Sequence, residues 1–135
     1  MGYRITEIEG IGKSHGAKLQ KAGIATTTTL LAEASTPKRR KTLSEKSGLT
    51  EKQILKFANL ADLMRIKGIG TQYSELLEAS GVDTVKELKT RRPDNLAAKM
   101  KEVNEKKKLT RTVPTETRIT HWVDEAKTLK PALKY

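Results

Sequence analysis

The sequence predicts an all-α protein made of two similar halves. Three observations carry that expectation: a glycine-containing turn that recurs at a fixed offset, a pair of Thr-initiated amphipathic segments, and the lack of any useful stretch alternating with period two. Ile8-Glu9-Gly10-Ile11-Gly12 returns 58 residues later as Ile66-Lys67-Gly68-Ile69-Gly70. At the same offset, Ala22-Gly23-Ile24-Ala25-Thr26 and Leu30 are answered by Ser80-Gly81-Val82-Asp83-Thr84 and Leu88. A second match joins Thr50-Glu51-Lys52-Gln53-Ile54 to Thr115-Glu116-Thr117-Arg118-Ile119, now at an offset of 65. From there Ile54, Phe57, Ala58, Ala61 and Met64 lie on one helix face, as do Ile119, Trp122, Val123, Ala126 and Leu129. The second half therefore has about seven extra residues between its two motifs.

Start and stop signals place the elements in order. A helix from about Ser14 to Ala22 ends at Gly23, the expected left-handed position. A short helix covers Thr28 to Ala34 despite its β-branched threonines. Thr36-Pro37 reads as N-cap and first helical residue, with Gly48 closing that segment. A long helix over Glu51–Arg65 starts at Thr50, with Gln53 in capping-box position. Helices follow near Thr71–Ser80 and Thr84–Lys89; Arg92-Pro93 opens another to about Glu105, and the last spans Thr115–Leu129. The expected division is a first repeat over 1–64, a second over 65–130 and a C-terminal tail over 131–135. The last helix is the counterpart of Glu51–Arg65 but has no turn after it. It is expected to fold back onto the first half, with Ile119, Trp122 and Ala126 against Ile8, Ile11 and Leu19.

Composition narrows the function classes. With 36% hydrophobic and 4% aromatic residues, the core must be mainly aliphatic. No apolar run approaches 18 residues and no charged-then-apolar start is present, so neither a membrane span nor a secretory signal is expected and the cytoplasm is the default. The absence of Cys removes disulfides, thiol nucleophiles and thiolate metal sites. A net charge of +11 favours polyanionic partners through counterion release. The clusters are Lys38-Arg39-Arg40-Lys41, Arg91-Arg92 and Lys106-Lys107-Lys108, all outside the repeated turns.

The repeated turns, each followed by a Gly-apolar hand-off to a short Leu-containing helix, resemble tandem helix-hairpin-helix motifs. With Asn59–Gly70, Gly81–Leu88, Asn95-Leu96 and Val103-Asn104-Glu105, the chain resembles an uncharacterised bacterial family catalogued as a domain of unknown function. The likeness runs from about Ile5 to Leu129. Similar turns occur in DNA polymerases, ligases, Holliday-junction proteins and the C-terminal domain of the RNA polymerase alpha subunit. The resemblance implies two helix-hairpin-helix units in one helical body and sequence-independent contact with nucleic-acid phosphates, double-stranded DNA first among them. Turn carbonyls in hairpins of this kind can also hold a monovalent cation, the one cofactor the resemblance admits.

The chemistry of such a turn follows from its glycines. They remove side chains where two helices reverse, and so expose N–H groups at the positive end of a helix. The candidate amides are those of Gly10, Gly12 and Lys13 in the first copy, and of Gly68, Gly70 and Thr71 in the second. Lys13 and Lys18 add positive charge to the first, with Lys38, Arg39, Arg40 and Lys41 as a further basic run. Lys67 precedes the second turn, but Glu75 and Glu78 follow it, which reads as a structural copy. Tyr73 reads as a packing residue rather than a stacking platform.

Catalysis is not expected. Asp83 follows Gly70 too closely for the catalytic acid of a glycosylase and fits a helix start better. His15 and His121 belong to different repeats, and no clustered spacing offers further metal ligands. The competing expectation is a protein-interaction or scaffold module that keeps the fold without binding nucleic acid.

Overall fold

The structure is a computed structural model that describes residues 2–8 and 10–135. Met1 and Glu9, the second residue of the first turn motif, lie outside the described residues. A 3-10 turn, Ile5–Glu7, is followed by α1 (Gly12–Lys21), α2 (Thr27–Glu33), α3 (Pro37–Ser47), α4 (Glu51–Leu63), α5 (Thr71–Ala79), α6 (Val85–Leu88), α7 (Pro93–Lys107) and α8 (Glu116–Thr128). Among the described residues there is no strand, only an isolated bridge between Arg4 and Thr26. The protein is thus an all-α domain of eight helices. Their ends fall within two residues of the positions that the start and stop signals predict.

Threonine begins most of these helices. The hydroxyls of Thr26, Thr36, Thr50, Thr84 and Thr115 each accept the N–H three residues on, capping α2, α3, α4, α6 and α8. Each such cap contributes about 1 kcal/mol. At Thr50 the box is reciprocal, with Gln53 accepting the Thr50 amide at 3.0 Å. The hand-offs after α1 and α5 also match: Ile24 N–H reaches Leu19 O and Val82 N–H reaches Leu77 O, both at 2.9 Å.

Two hydrophobic clusters form the interior. One gathers Ile5, Ile8, Ile11, Leu19, Leu30, Leu43, Ile54, Phe57 and Ala61; the other gathers Ile66, Ile69, Leu76, Leu88, Met100, Ile119, Trp122 and Ala126. In the first, α2 and α3 both pack on α4; in the second, α7 and α6 both pack on α8. Ring pairs make the correspondence exact to the residue. His15 of α1 lies 5.7 Å from Phe57 of α4, and Tyr73 of α5 lies 5.4 Å from Trp122 of α8. Tyr73 is therefore a packing residue.

This corrects the expected placement of the last helix. Ile119, Trp122 and Ala126 lie against Ile66 and Ile69, not against Ile8, Ile11 and Leu19. The repeat phase misleads because each half is closed by its own final helix. Phe57 and Ala61 already cover the first turn, and α7 returns the chain so that α8 covers the second.

What crosses back to the first half is the segment after α8. Leu133 is 7% exposed and belongs to the first cluster. Its neighbours are fixed by hydrogen bonds: Lys134 N–H to Ser35 O at 2.8 Å, and Arg65 Nη2 to Lys130 O at 2.8 Å. The Tyr135 hydroxyl donates to Asn59 Oδ1 at 3.0 Å. The residues 131–135, set apart in the sequence as a tail, form a strap over α4.

Beneath this strap lies Asp62, 4% exposed. It accepts Arg65 Nη1 at 2.8 Å and the Val85 N–H, at the start of α6, at 3.0 Å. In the first half the corresponding N–H, that of Thr27, goes to the backbone carbonyl of Tyr3 at 2.9 Å. The second half has the end of α4 at that place. There a side-chain carboxylate replaces the carbonyl.

Two predictions follow from the strap. Leu133→Ala should lower the unfolding free energy by about 2–3 kcal/mol in urea titration, as for a core leucine and unlike a frayed end. The ring of Tyr135 is 60% exposed, but its hydroxyl end is desolvated and lies near the Asp62 carboxylate, which pushes the phenol up to about 12. The stability this contributes is complete below the unfolded value of about 10 and is lost as pH rises through about 12. Tyrosinate absorbance should show one late transition near there, absent in Tyr135→Phe.

Candidate nucleic-acid interface

Both repeated turns are closed by the same backbone bond, Ile11 N–H to Ile8 O at 3.2 Å and Ile69 N–H to Ile66 O at 3.1 Å. Burial of these four isoleucines pins each turn to its own cluster. Gly10 and Gly12 have φ of +80° and +68°, a conformation that L side chains adopt at a cost. A Cβ at either would meet nothing within 4 Å among the described residues.

The helices that follow the turns differ from most others in how they begin. Neither α1 nor α5 has a side-chain cap among the described residues, and neither has an acid in its first turn. Their first N–H groups have no carbonyl within their own helix. Where five other helices supply a threonine hydroxyl, these two present amides at the positive end of the helix.

Around the first turn, Lys13, Ser14, Lys18 and Lys21 are exposed. His15, by contrast, is half-buried against Phe57 and serves packing. Gly10 and Gly12 are exposed. The basic run on α3 divides in two. Lys38, Arg39 and Lys41 are exposed, with Lys38, Arg39 and Lys46 lining a groove shared with Ala22 and Ile24 at the far end of α1. That end lies about 15 Å from the turn along the ten-residue helix, with Lys18 and Lys21 on the intervening solvent side.

Arg40 is the exception. It is only 5% exposed, and its guanidinium donates to Ala34 O and Lys134 O, both at 2.8 Å. It lies 6.0 Å from the centre of the Tyr135 ring. This candidate ligand is a staple between the end of α2 and the strap. In sequence it reads as one of four consecutive cations, and nothing local distinguishes it from them.

Around the second turn, Lys67 and Gly68 are exposed while Gly70 and Thr71 are half-buried. Gly68 has φ of +90°, whereas Gly70, at −96°, is in extended backbone that any residue adopts. Glu78 lies near the far end of α5, and burial raises its carboxyl above the ordinary range, opposed by Lys56. The acid that touches the turn is Glu125 of α8, which accepts the Lys67 N–H at 3.3 and 3.4 Å. Arg118 of the same helix reaches the other side, over the rings of Tyr73 and Trp122. Neither residue is conspicuous in the sequence until α8 is laid across the second turn.

Elsewhere, a mainly apolar hollow of about 150 Å³ lies under the strap between Val85, Ala126, Leu129 and Leu133. Its buried acid, Asp62, is already bonded to Arg65 and Val85. Among the described residues, no group of three or more His, Cys, Asp or Glu could hold a metal ion, and no helix is long and apolar enough to cross a membrane.

These features define a basic all-α domain in which a glycine turn leading into a helix occurs twice, the first helix start exposed and the second half-buried. The chain belongs to the family described as a domain of unknown function, DUF4332, whose match covers residues 9–129. No curated protein and no solved structure matches it.

The division of the basic run yields a direct test. Arg40→Ala should lower stability by about 2 kcal/mol by leaving two carbonyls unpaired. Lys41→Ala should change it by less than about 0.5 kcal/mol. Urea unfolding of the two variants compares them.

Proposed function

We propose that the protein is a non-catalytic nucleic-acid-binding module built from two helix-hairpin-helix units, 1–64 and 65–130. On this reading it contacts backbone phosphates, most naturally those of double-stranded DNA, without reading sequence. The observation that carries it is the start of α1, without a side-chain cap among the described residues, immediately after a left-handed glycine turn and beside exposed lysines. Such a helix start offers an anion several N–H donors and a favourable dipole at once.

The amides of Gly10, Gly12 and Lys13 would position one phosphate. Lys13 and Lys18 add charge, and Lys38, Arg39 and Lys41 extend the basic surface toward the far end of α1. Arg40 is left out because its guanidinium is already bonded to two carbonyls. A monovalent cation held by the turn carbonyls would fit the same geometry. Base readout is not part of the proposal, since no helix carries Arg and Asn along one exposed face in the manner of a recognition helix.

Fluorescence anisotropy of a labelled duplex across a salt series tests this reading. With about four phosphates engaged, the slope of log affinity against log salt should be about −3.6. Gly12→Asp keeps a residue type that tolerates positive φ but places a carboxylate at the amides, and should abolish most binding in a chain that still melts cooperatively. Lack of binding by the unaltered protein at low salt would sink the proposal and favour the scaffold alternative.

A further inference from the structure

The second turn carries features that the first lacks, and all of them come from α8. Trp122 is 3% exposed, and its indole nitrogen is the atom that a side chain at Gly68 would strike, 3.2 Å from a Cβ there. Among the described residues the indole N–H has no hydrogen-bond acceptor. No side-chain nitrogen or oxygen among the described residues is both fully buried and unpartnered, so this N–H meets solvent beside Gly68. Nearby, a shallow hollow is lined by Tyr3, Gly68, Gly70, Thr71, Gln72 and Tyr73, and the uncapped start of α5 opens into it.

Arg118 supplies the charge. Its guanidinium lies 5.3 Å from the centre of the Tyr73 ring and 5.8 Å from that of Trp122, and one of its nitrogens is 3.5 Å from a Cβ placed at Gly68. It is exposed and forms no ion pair among the described residues. Comparison of the repeats explains why it is available. Gln53, at the equivalent position of α4, accepts the amide of its own N-cap. Arginine has only donors and cannot close that box, so Thr115 caps α8 alone and the Arg118 side chain extends over the rings.

From this geometry we propose that the Gly68–Gly70 turn and α8 together form a second phosphate site, with Arg118 and the Trp122 N–H as its side-chain donors. The inference rests on the nucleic-acid reading and assigns the site a phosphodiester of the bound backbone. Glu125 opposes it with one negative charge, but it occupies the Lys67 amide rather than the start of α5. On the positive side stand Arg118, Lys67 and the roughly half-unit charge of the helix end.

Trp122 is the sole tryptophan, so its emission reports on this site alone. The full chain is titrated first with inorganic phosphate and then with a short duplex, following both Trp emission and duplex anisotropy. Both ligands should change the emission saturably. Arg118→Gln should remove that change, weaken duplex binding several-fold and reduce the salt slope by about 1. Arg118→Lys, which keeps the charge but not the fork, should recover only part of each effect. Gly12→Asp should leave the phosphate-induced emission change intact. Duplex binding with unaltered Trp emission, or with full affinity in Arg118→Gln, overturns the second site and leaves the proposed function standing. Failure of the unaltered chain to bind duplex at low salt overturns the function itself.

Discussion

One buried carboxylate, Asp62, holds the junction on which the two halves depend. Its two oxygens serve two elements at once: Arg65, which also holds the strap through Lys130 O, and the first N–H of α6. A charge in that position is tolerable only because both its partners are present. Through it, the end of α4 fixes the short helix that follows the second turn. The same residues thereby fix the strap that completes the first cluster. Contact between the halves runs through this junction and through α4 packed on α5.

The two halves show how one scaffold yields unlike surfaces. His15 with Phe57 and Tyr73 with Trp122 preserve the packing of a turn helix on a closing helix. Around that shared contact the flanks have diverged. Leu60, buried in the first core, corresponds to Glu125, and Gln53 corresponds to Arg118. The first turn is thus bordered by lysines on its own helix, whereas the second is bordered by charges delivered from α8. Exposed lysines on flexible stems attract phosphate without fixing its direction; an arginine resting on two rings constrains it.

Much of the fold was legible because its signals are local. Thr26, Thr36, Thr50, Thr84 and Thr115 announce helix starts through their own hydroxyls, and the two turns repeat almost letter for letter. Long-range placements were less accessible. Leu133 lies among lysines and a proline with no period to mark it as core, so the strap read as a tail. Arg40 is indistinguishable in sequence from its neighbours, since its burial is decided by carbonyls 6 and 94 residues away. At the second turn, Glu125 and Arg118 lie far off in sequence and reach it only through space. Comparing the copies at an offset of 65 would have exposed Arg118, because arginine there replaces the glutamine that closes the capping box.

The strap also constrains the order in which the protein can be made. Leu133 completes a core whose other buried members all lie between Ile5 and Met64. On the ribosome, that core must wait, one side chain short, while the entire second half is synthesised. Only when residues 133–135 have left the exit tunnel can Lys134 meet Ser35 and Arg40 gain its second carbonyl. The first half to emerge is therefore the last to be finished.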